Sequence, residues 1–152
     1  MIYVDKDGNW FHKGAPLVHP GLIGFFYQLL DTDPQGCYII RLQNQICRLD
    51  VEDTPFVIVR TDFISAERNM GRAAYMLCLI DGTQEELDPA SLFVGSENVL
   101  YCTVKKGRFK ARFARSAYYQ LAEHIRPDYE AGKYVLPLNH KTYPISAIRD
   151  ES

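Results

Sequence analysis

Gly36-Cys37-Tyr38-Ile39-Ile40-Arg41-Leu42 and Gly132-Lys133-Tyr134-Val135-Leu136-Pro137-Leu138 decide how this chain is read. Each stretch opens on a glycine, which supplies positive φ where a turn enters a strand. Each then runs through a tyrosine into an apolar segment of strand length. Ahead of each lies a helical pattern with a shared string, Phe26-Tyr27-Gln28-Leu29 in the first and Tyr118-Tyr119-Gln120-Leu121 in the second. Further upstream stand a strand and a Gly turn, Tyr3 to Gly8 and Tyr101 to Gly107. The order strand, Gly turn, short strand, helix, Gly, Tyr-led hairpin occurs twice, which is the signature of internal duplication.

Duplication predicts an α+β chain of two related lobes, each a small antiparallel sheet packed on one helix. The first lobe is expected over residues 1–97 and the second over 98–152. The middle, Val51 to Asn98, reads as extra sheet belonging mainly to the first lobe. Clefts between lobes are common ligand sites, so a polar pocket is expected at the seam.

The remaining elements follow from local pattern. Ile2 to Val4 and Trp10 to His12 flank a turn at Asp7-Gly8. Pro20 suits a first helical position, and Leu22, Ile23, Phe25, Phe26, Leu29 and Leu30 cover one broad face after it. Strands are expected over Tyr38 to Leu42 and Ile46 to Val51, around a turn at Asn44-Gln45, and over Phe56 to Ile64, Ala73 to Ile80 and Val99 to Val104. Ser65 to Arg72 reads as a connection, and Thr83 to Ser96 as acidic and irregular. Ala111 to Ile125 reads as the second helix, ended by Pro127. Tyr134 to Leu138 and Lys141 to Ile145 make a terminal hairpin around Asn139-His140, and the last few residues are expected to fray.

Composition narrows the function classes. The 152 residues carry 17 Lys plus Arg against 19 Asp plus Glu, a formal charge of −2. General nucleic-acid binding needs a cationic excess that this chain lacks. No apolar run approaches the roughly 20 residues that span a bilayer, and no signal-peptide pattern opens the chain. Cys37, Cys47, Cys78 and Cys102 have no metal-ligand spacing and sit in apolar stretches, so they are expected to be reduced and buried, in a cytoplasmic protein. The four histidines show no paired-ligand spacing, so no metal and no cofactor are expected.

Two clusters carry chemistry. Arg48 and Glu52 lie four apart and share a strand face, so Arg48 could take an anionic group that Glu52 orients. The plainer alternative is a surface ion pair, with Asp53 capping a turn before Pro55. Arg112, Arg115 and Tyr119 follow i, i+3, i+7, one helical face, with Arg108 and Lys110 upstream. Cations near a helix N-terminus oppose the dipole and ask for a reason, such as a phosphate, with Tyr119 as a stacking platform. The alternative is a solvated face with Tyr119 packing between lobes. No catalytic constellation appears, so no enzyme is expected.

Three motifs carry a resemblance. Asp7-Gly8-Asn9-Trp10-Phe11-His12-Lys13-Gly14-Ala15-Pro16 resembles the opening motif of an uncharacterised bacterial group, domain of unknown function family 1285. Cys47-Arg48-Leu49-Asp50-Val51-Glu52-Asp53-Thr54-Pro55-Phe56 is similar to its central motif. Ala111-Arg112-Phe113-Ala114-Arg115-Ser116-Ala117-Tyr118-Tyr119-Gln120-Leu121 is similar to its second helix. The chain departs from the family at Leu42-Gln43-Asn44-Gln45-Ile46 and at Val135-Leu136-Pro137, as a divergent member would. The resemblance implies a duplicated α+β core whose second lobe is like pleckstrin-homology folds. It also implies a lobe-interface site for a nucleotide-type molecule and a signalling role, with no enzymatic activity.

The expectation is thus a ligand-binding or sensory module for a small anionic, nucleotide-like ligand, held by Arg48, Glu52, Arg112, Arg115 and Tyr119. The alternative is a protein-interaction adaptor that uses a sheet edge or lobe surface and needs no small ligand.

Overall fold

The computed structural model describes residues 1–147, and the expected frayed terminus lies outside them. The chain divides into two compact units, Met1–Phe56 and Val57–Ser152. The architecture is α+β. None of the described helices is long and apolar enough to cross a membrane.

The first unit holds β1 (Ile2–Val4), β2 (Trp10–His12), β3 (Ala15–Leu17), α1 (Pro20–Gln28), β4 (Leu30–Thr32), β5 (Tyr38–Leu42) and β6 (Gln45–Val51). These strands form one sheet in the order β3-β2-β1-β6-β5-β4. Asp5 shapes the first turn: its Oδ1 accepts from the backbone N–H groups of Asp7 and Asn9, each at 2.9 Å, and Gly8 takes φ 85°. His19 caps α1, its Nδ1 accepting from Leu22 N, and Pro20 stands in the first turn as expected. The core of this unit is aromatic. Trp10 stacks on Phe26 and meets Tyr27 edge-on, and Tyr27 packs on Phe56. The indole N–H donates to the Tyr27 hydroxyl at 3.1 Å, which donates to the Pro55 carbonyl at 3.0 Å. Both buried polar handles are therefore satisfied.

The second unit begins within β7 (Phe56–Ile64) and adds β8 (Ala74–Leu79), β9 (Gln84–Glu86), β10 (Phe93–Val94), β11 (Leu100–Val104) and β12 (Phe109–Phe113). It continues with α2 (Arg115–Ala122), β13 (Arg126–Asp128), β14 (Lys133–Leu138), β15 (Lys141–Pro144) and β16 (Ser146–Ala147). Seven strands pair as β16-β10-β11-β12-β7-β8-β9, and three as β13-β14-β15. The turn after β8 is tied to the turn after β11. The Lys105 ammonium lies 3.0 Å from Asp81 and donates to Thr83 at 2.7 Å, while Lys105 N donates to Glu85.

The two units repeat one topology. In the first, β1 pairs parallel with β6 and antiparallel with β2, which pairs with β3. In the second, β10 pairs parallel with β16 and antiparallel with β11, which pairs with β12. The loops correspond as well, since Asp5 N donates to Asn9 O and Gly95 N to Val99 O, each at 2.9 Å. A single offset relates Leu30 to Arg126, Gly36 to Gly132, Leu42 to Leu138 and Val51 to Ala147. The hairpin registers agree residue for residue: Ile39↔Arg48 through Leu42↔Gln45, and Val135↔Pro144 through Leu138↔Lys141. Gly36 and Gly132 both take positive φ, 85° and 67°, as the repeat requires.

The structure corrects several expectations. The true counterpart of Tyr3 to Gly8 is Phe93 to Asn98, not Tyr101 to Gly107, so the second copy begins inside the span given to the first lobe. The strands β7, β8 and β9 continue the second unit's sheet beyond β12; they do not belong to the first lobe. Division therefore falls after Phe56 rather than after residue 97. Residues 109–113 form a strand, not a helix start, because Phe109, Ala111 and Phe113 are buried while Lys110 and Arg112 alternate outward. The irregular acidic stretch contains β9 and β10. The unforeseen β3 and β13 hold Pro16 and Pro127, and both lie at sheet edges, where a missing N–H is tolerated. Leu30 begins β4 instead of ending α1, and the hairpin turn falls at Gln43-Asn44. The cysteines are free, but only Cys102 is fully buried and Cys37 is exposed.

Candidate functional site

The inserted hairpin β7–β8 and the repeated hairpin β14–β15 face one another across a groove of about 540 Å³ in the second unit. Its lining includes Phe63, Tyr75, His124, Arg126, His140 and Lys141. Among the described residues, no aspartate or glutamate lines it. The hairpin pattern of each strand pair explains the placement. Phe63 and Tyr75 are direct cross-strand partners, so both rings lie on one face of β7–β8.

Three rings form the wall. Phe63 and His124 stack at 4.9 Å and 28°, Tyr75 meets His124 edge-on at 5.2 Å, and Phe63 lies 5.2 Å from Tyr75. His124 comes from the turn after α2, where its N–H donates to Leu121 O. Phe63 is exposed, which leaves ring surface open to a flat ligand. Burial pushes the Tyr75 phenol up to about 12, although the Arg126 charge pulls the other way, so the hydroxyl stays neutral.

Arg126 and Lys141 supply the rim charge. Arg126 Nη1 donates to the carbonyls of Glu123 at 2.6 Å and Ile125 at 3.0 Å, which anchors the guanidinium at the end of α2. That anchoring suits the carbonyl-rich helix terminus and holds the cation beside the ring wall. The hairpin tip is fixed from beneath. Asn139 accepts from Ala73 N and donates to Ala73 O, both at 2.8 Å, so its amide pairs with the backbone beside β8 as a neighbouring strand would. Asn139 and His140 take φ 51° and 65°, the tight mirror-image turn that matches strand twist.

A neighbouring groove of about 440 Å³ shares Leu138, Asn139 and Lys141, but its Arg72 is held by Glu86 through bonds of 2.7 and 3.2 Å, and Asp88 also lines it. Its charges are balanced, whereas the first groove is cationic.

The residues singled out in the sequence lie elsewhere. Arg48 on β6 is exposed and sits 3.7 Å from the Asp33 carboxylate. Glu52, just past β6, accepts from the Tyr3 hydroxyl at 2.9 Å. Each is engaged by a different partner. Arg112 stands on β12 opposite Tyr101, Arg115 opens α2, and Tyr119 on α2 is 60% exposed. The expected face of Arg112, Arg115 and Tyr119 does not form, because the chain changes from strand to helix at Ala114. None of the five lines the cationic groove. Phe63, His124, Arg126 and Lys141 were missed because they are scattered along the chain and converge only when the inserted hairpin packs beside the repeat.

Comparison with solved structures bears on the fold. A DUF1285 family protein from Silicibacter pomeroyi DSS-3 matches with a TM-score of 0.77 and 18% identity, over 97% of this chain and 80% of that one. Another, from Shewanella baltica OS155, matches with a TM-score of 0.63 and 18% identity, over 80% of this chain and 90% of that one. No family model matches the sequence, and no curated protein does. With the repeated topology and these two matches together, the chain has the fold of the DUF1285 family proteins.

Proposed function

We propose that the protein is a binding module for a small anionic ligand with a flat ring, of nucleotide-like chemistry. The observation that supports this reading is the groove in which the Phe63–His124 stack stands beside Arg126 and Lys141, with no carboxylate in its lining among the described residues. A base stacks on the exposed ring, and a phosphate finds the guanidinium and ammonium. The volume of about 540 Å³ lies in the range of small-molecule sites. Such a module acts by occupancy, which fits a sensory or signalling role.

The test is calorimetric titration and thermal shift with adenosine monophosphate and, separately, inorganic phosphate. Saturable binding of the nucleotide, weakened about tenfold or more in Arg126→Ala and in Phe63→Ala, is the expected result. Phosphate alone should bind more weakly, because it forfeits the stack. Binding left intact by both substitutions would remove the site. No binding by a panel of nucleotides, with a protein partner recovered instead, would favour the adaptor reading.

A further inference from the structure

The repeat identifies a second site. Leu100 on β11 occupies the position of Trp10 on β2: each is the residue where the second strand leaves its loop, paired across from Val94 and Val4 respectively. In the first unit the indole fills the space over α1, stacking on Phe26 and leaving Trp10 1% and Val4 0% exposed. In the second unit a leucine stands there. Beside it opens a groove of about 640 Å³, walled by Val94, Leu100, Tyr118, Ile125, Tyr134 and Ile145. Val94 is accordingly half-buried where Val4 is fully covered. Where β6 runs through, the second copy divides at Ile145 into β15 and β16, and Ile145 lines the groove.

We infer that this groove binds a planar aromatic monocarboxylate, a ligand whose ring takes the place that Trp10 fills in the other copy. The first unit shows which shape packs between these strands and this helix. Tyr118 from α2 and Tyr134 from β14 bring two aromatic side chains to its lining. Among the described residues Lys133 is the one charged residue in the lining, and no carboxylate pairs with it. A single anionic end therefore meets a single cation at the lip, while the body of the ligand replaces water on an apolar wall.

Indole-3-acetate is the probe, titrated by calorimetry against the whole chain, with tryptamine as its cationic counterpart. Saturable binding of the acetate but not of tryptamine is expected, and Lys133→Met should weaken it about tenfold. Leu100→Trp restores the residue of the first copy and should abolish binding while the far-ultraviolet circular dichroism stays native. If that variant fails to fold, Ala122→Phe blocks the same wall from α2 and should have the same effect. Arg126→Ala, at the cationic groove, should leave binding unchanged, so the two sites succeed or fail separately. No saturable binding up to about 1 mM, equal binding of tryptamine, or full binding by a folded Leu100→Trp would each overturn the inference.

Discussion

The first unit and the second are copies of one plan that diverged unevenly. Their hairpins β5–β6 and β14–β15 keep the same register residue for residue, although Arg41 and Arg48 have become Pro137 and Pro144. Their helices do not keep the same environment: in the shared Tyr-Gln-Leu string, Tyr27 is 5% exposed and Tyr119 is 60%. Backbone hydrogen bonding holds a sheet together whatever side chains it bears, so topology outlasts the pattern of burial. What changed between the copies is what fills the space: an aromatic core in one, the cationic groove and the groove beside Leu100 in the other.

The largest test of this contrast is Trp10→Ala. It removes the filler from the first unit and should cost about 3–5 kcal/mol of stability, read by denaturant unfolding. Amide exchange should quicken across 1–56 and stay slow across 57–147. Equal loss across both spans would show one cooperative block and break the contrast. Next comes Asn139→Ala, which strips Ala73 of both backbone partners at the join between inserted and repeated hairpins. A loss of about 1–3 kcal/mol is expected, together with weaker ligand binding in the cationic groove. An unchanged unfolding midpoint would remove Asn139 from its positioning role.

Gly36→Ala and Gly132→Ala probe the shared turn. Nothing crowds a Cβ at either position, so the cost is backbone strain alone. Each should lose about 1–2 kcal/mol, and the two values should agree; a marked inequality in thermal unfolding would mean that the turns have diverged. The smallest effect concerns acid. Burial pushes the Asp81 carboxyl up, but the bonds from Thr83 and Lys105 outweigh it and hold it below its ordinary value of 3.8. Its contribution is thus present above the unfolded value and is lost as pH falls through the lowered folded one. Asp81→Asn should flatten the stability profile below about pH 4. The inserted turn that holds Asp81 has no counterpart in the first unit, so an identical acid response across 1–56 by amide exchange would contradict this assignment.

The repeat was legible because Gly36 and Gly132 face a backbone requirement that few other residues meet. The hairpins around them were legible for the same reason. The front of the second copy was not, because its loop uses Asn98 at φ 59° where the first uses Gly8, and the glycine at 107 drew the match one strand too far. Arg112 was misplaced because its spacing to Arg115 and Tyr119 fits one helical face, whereas Arg112 belongs to the alternation of β12, which the burial of Phe109, Ala111 and Phe113 reveals. The grooves were invisible for a different cause. Each exists through the meeting of a repeated element and something the repeat lacks: an inserted hairpin in one case, a lost indole in the other.

Asn139 carries a last consequence. By offering a donor and an acceptor to one residue, its side chain acts as a splice where newer material meets the older plan. A graft secured by two bonds from a loop tip needs no redesign of the sheets on either side. The same tip therefore marks the place to attach or exchange a hairpin when building variants of this scaffold.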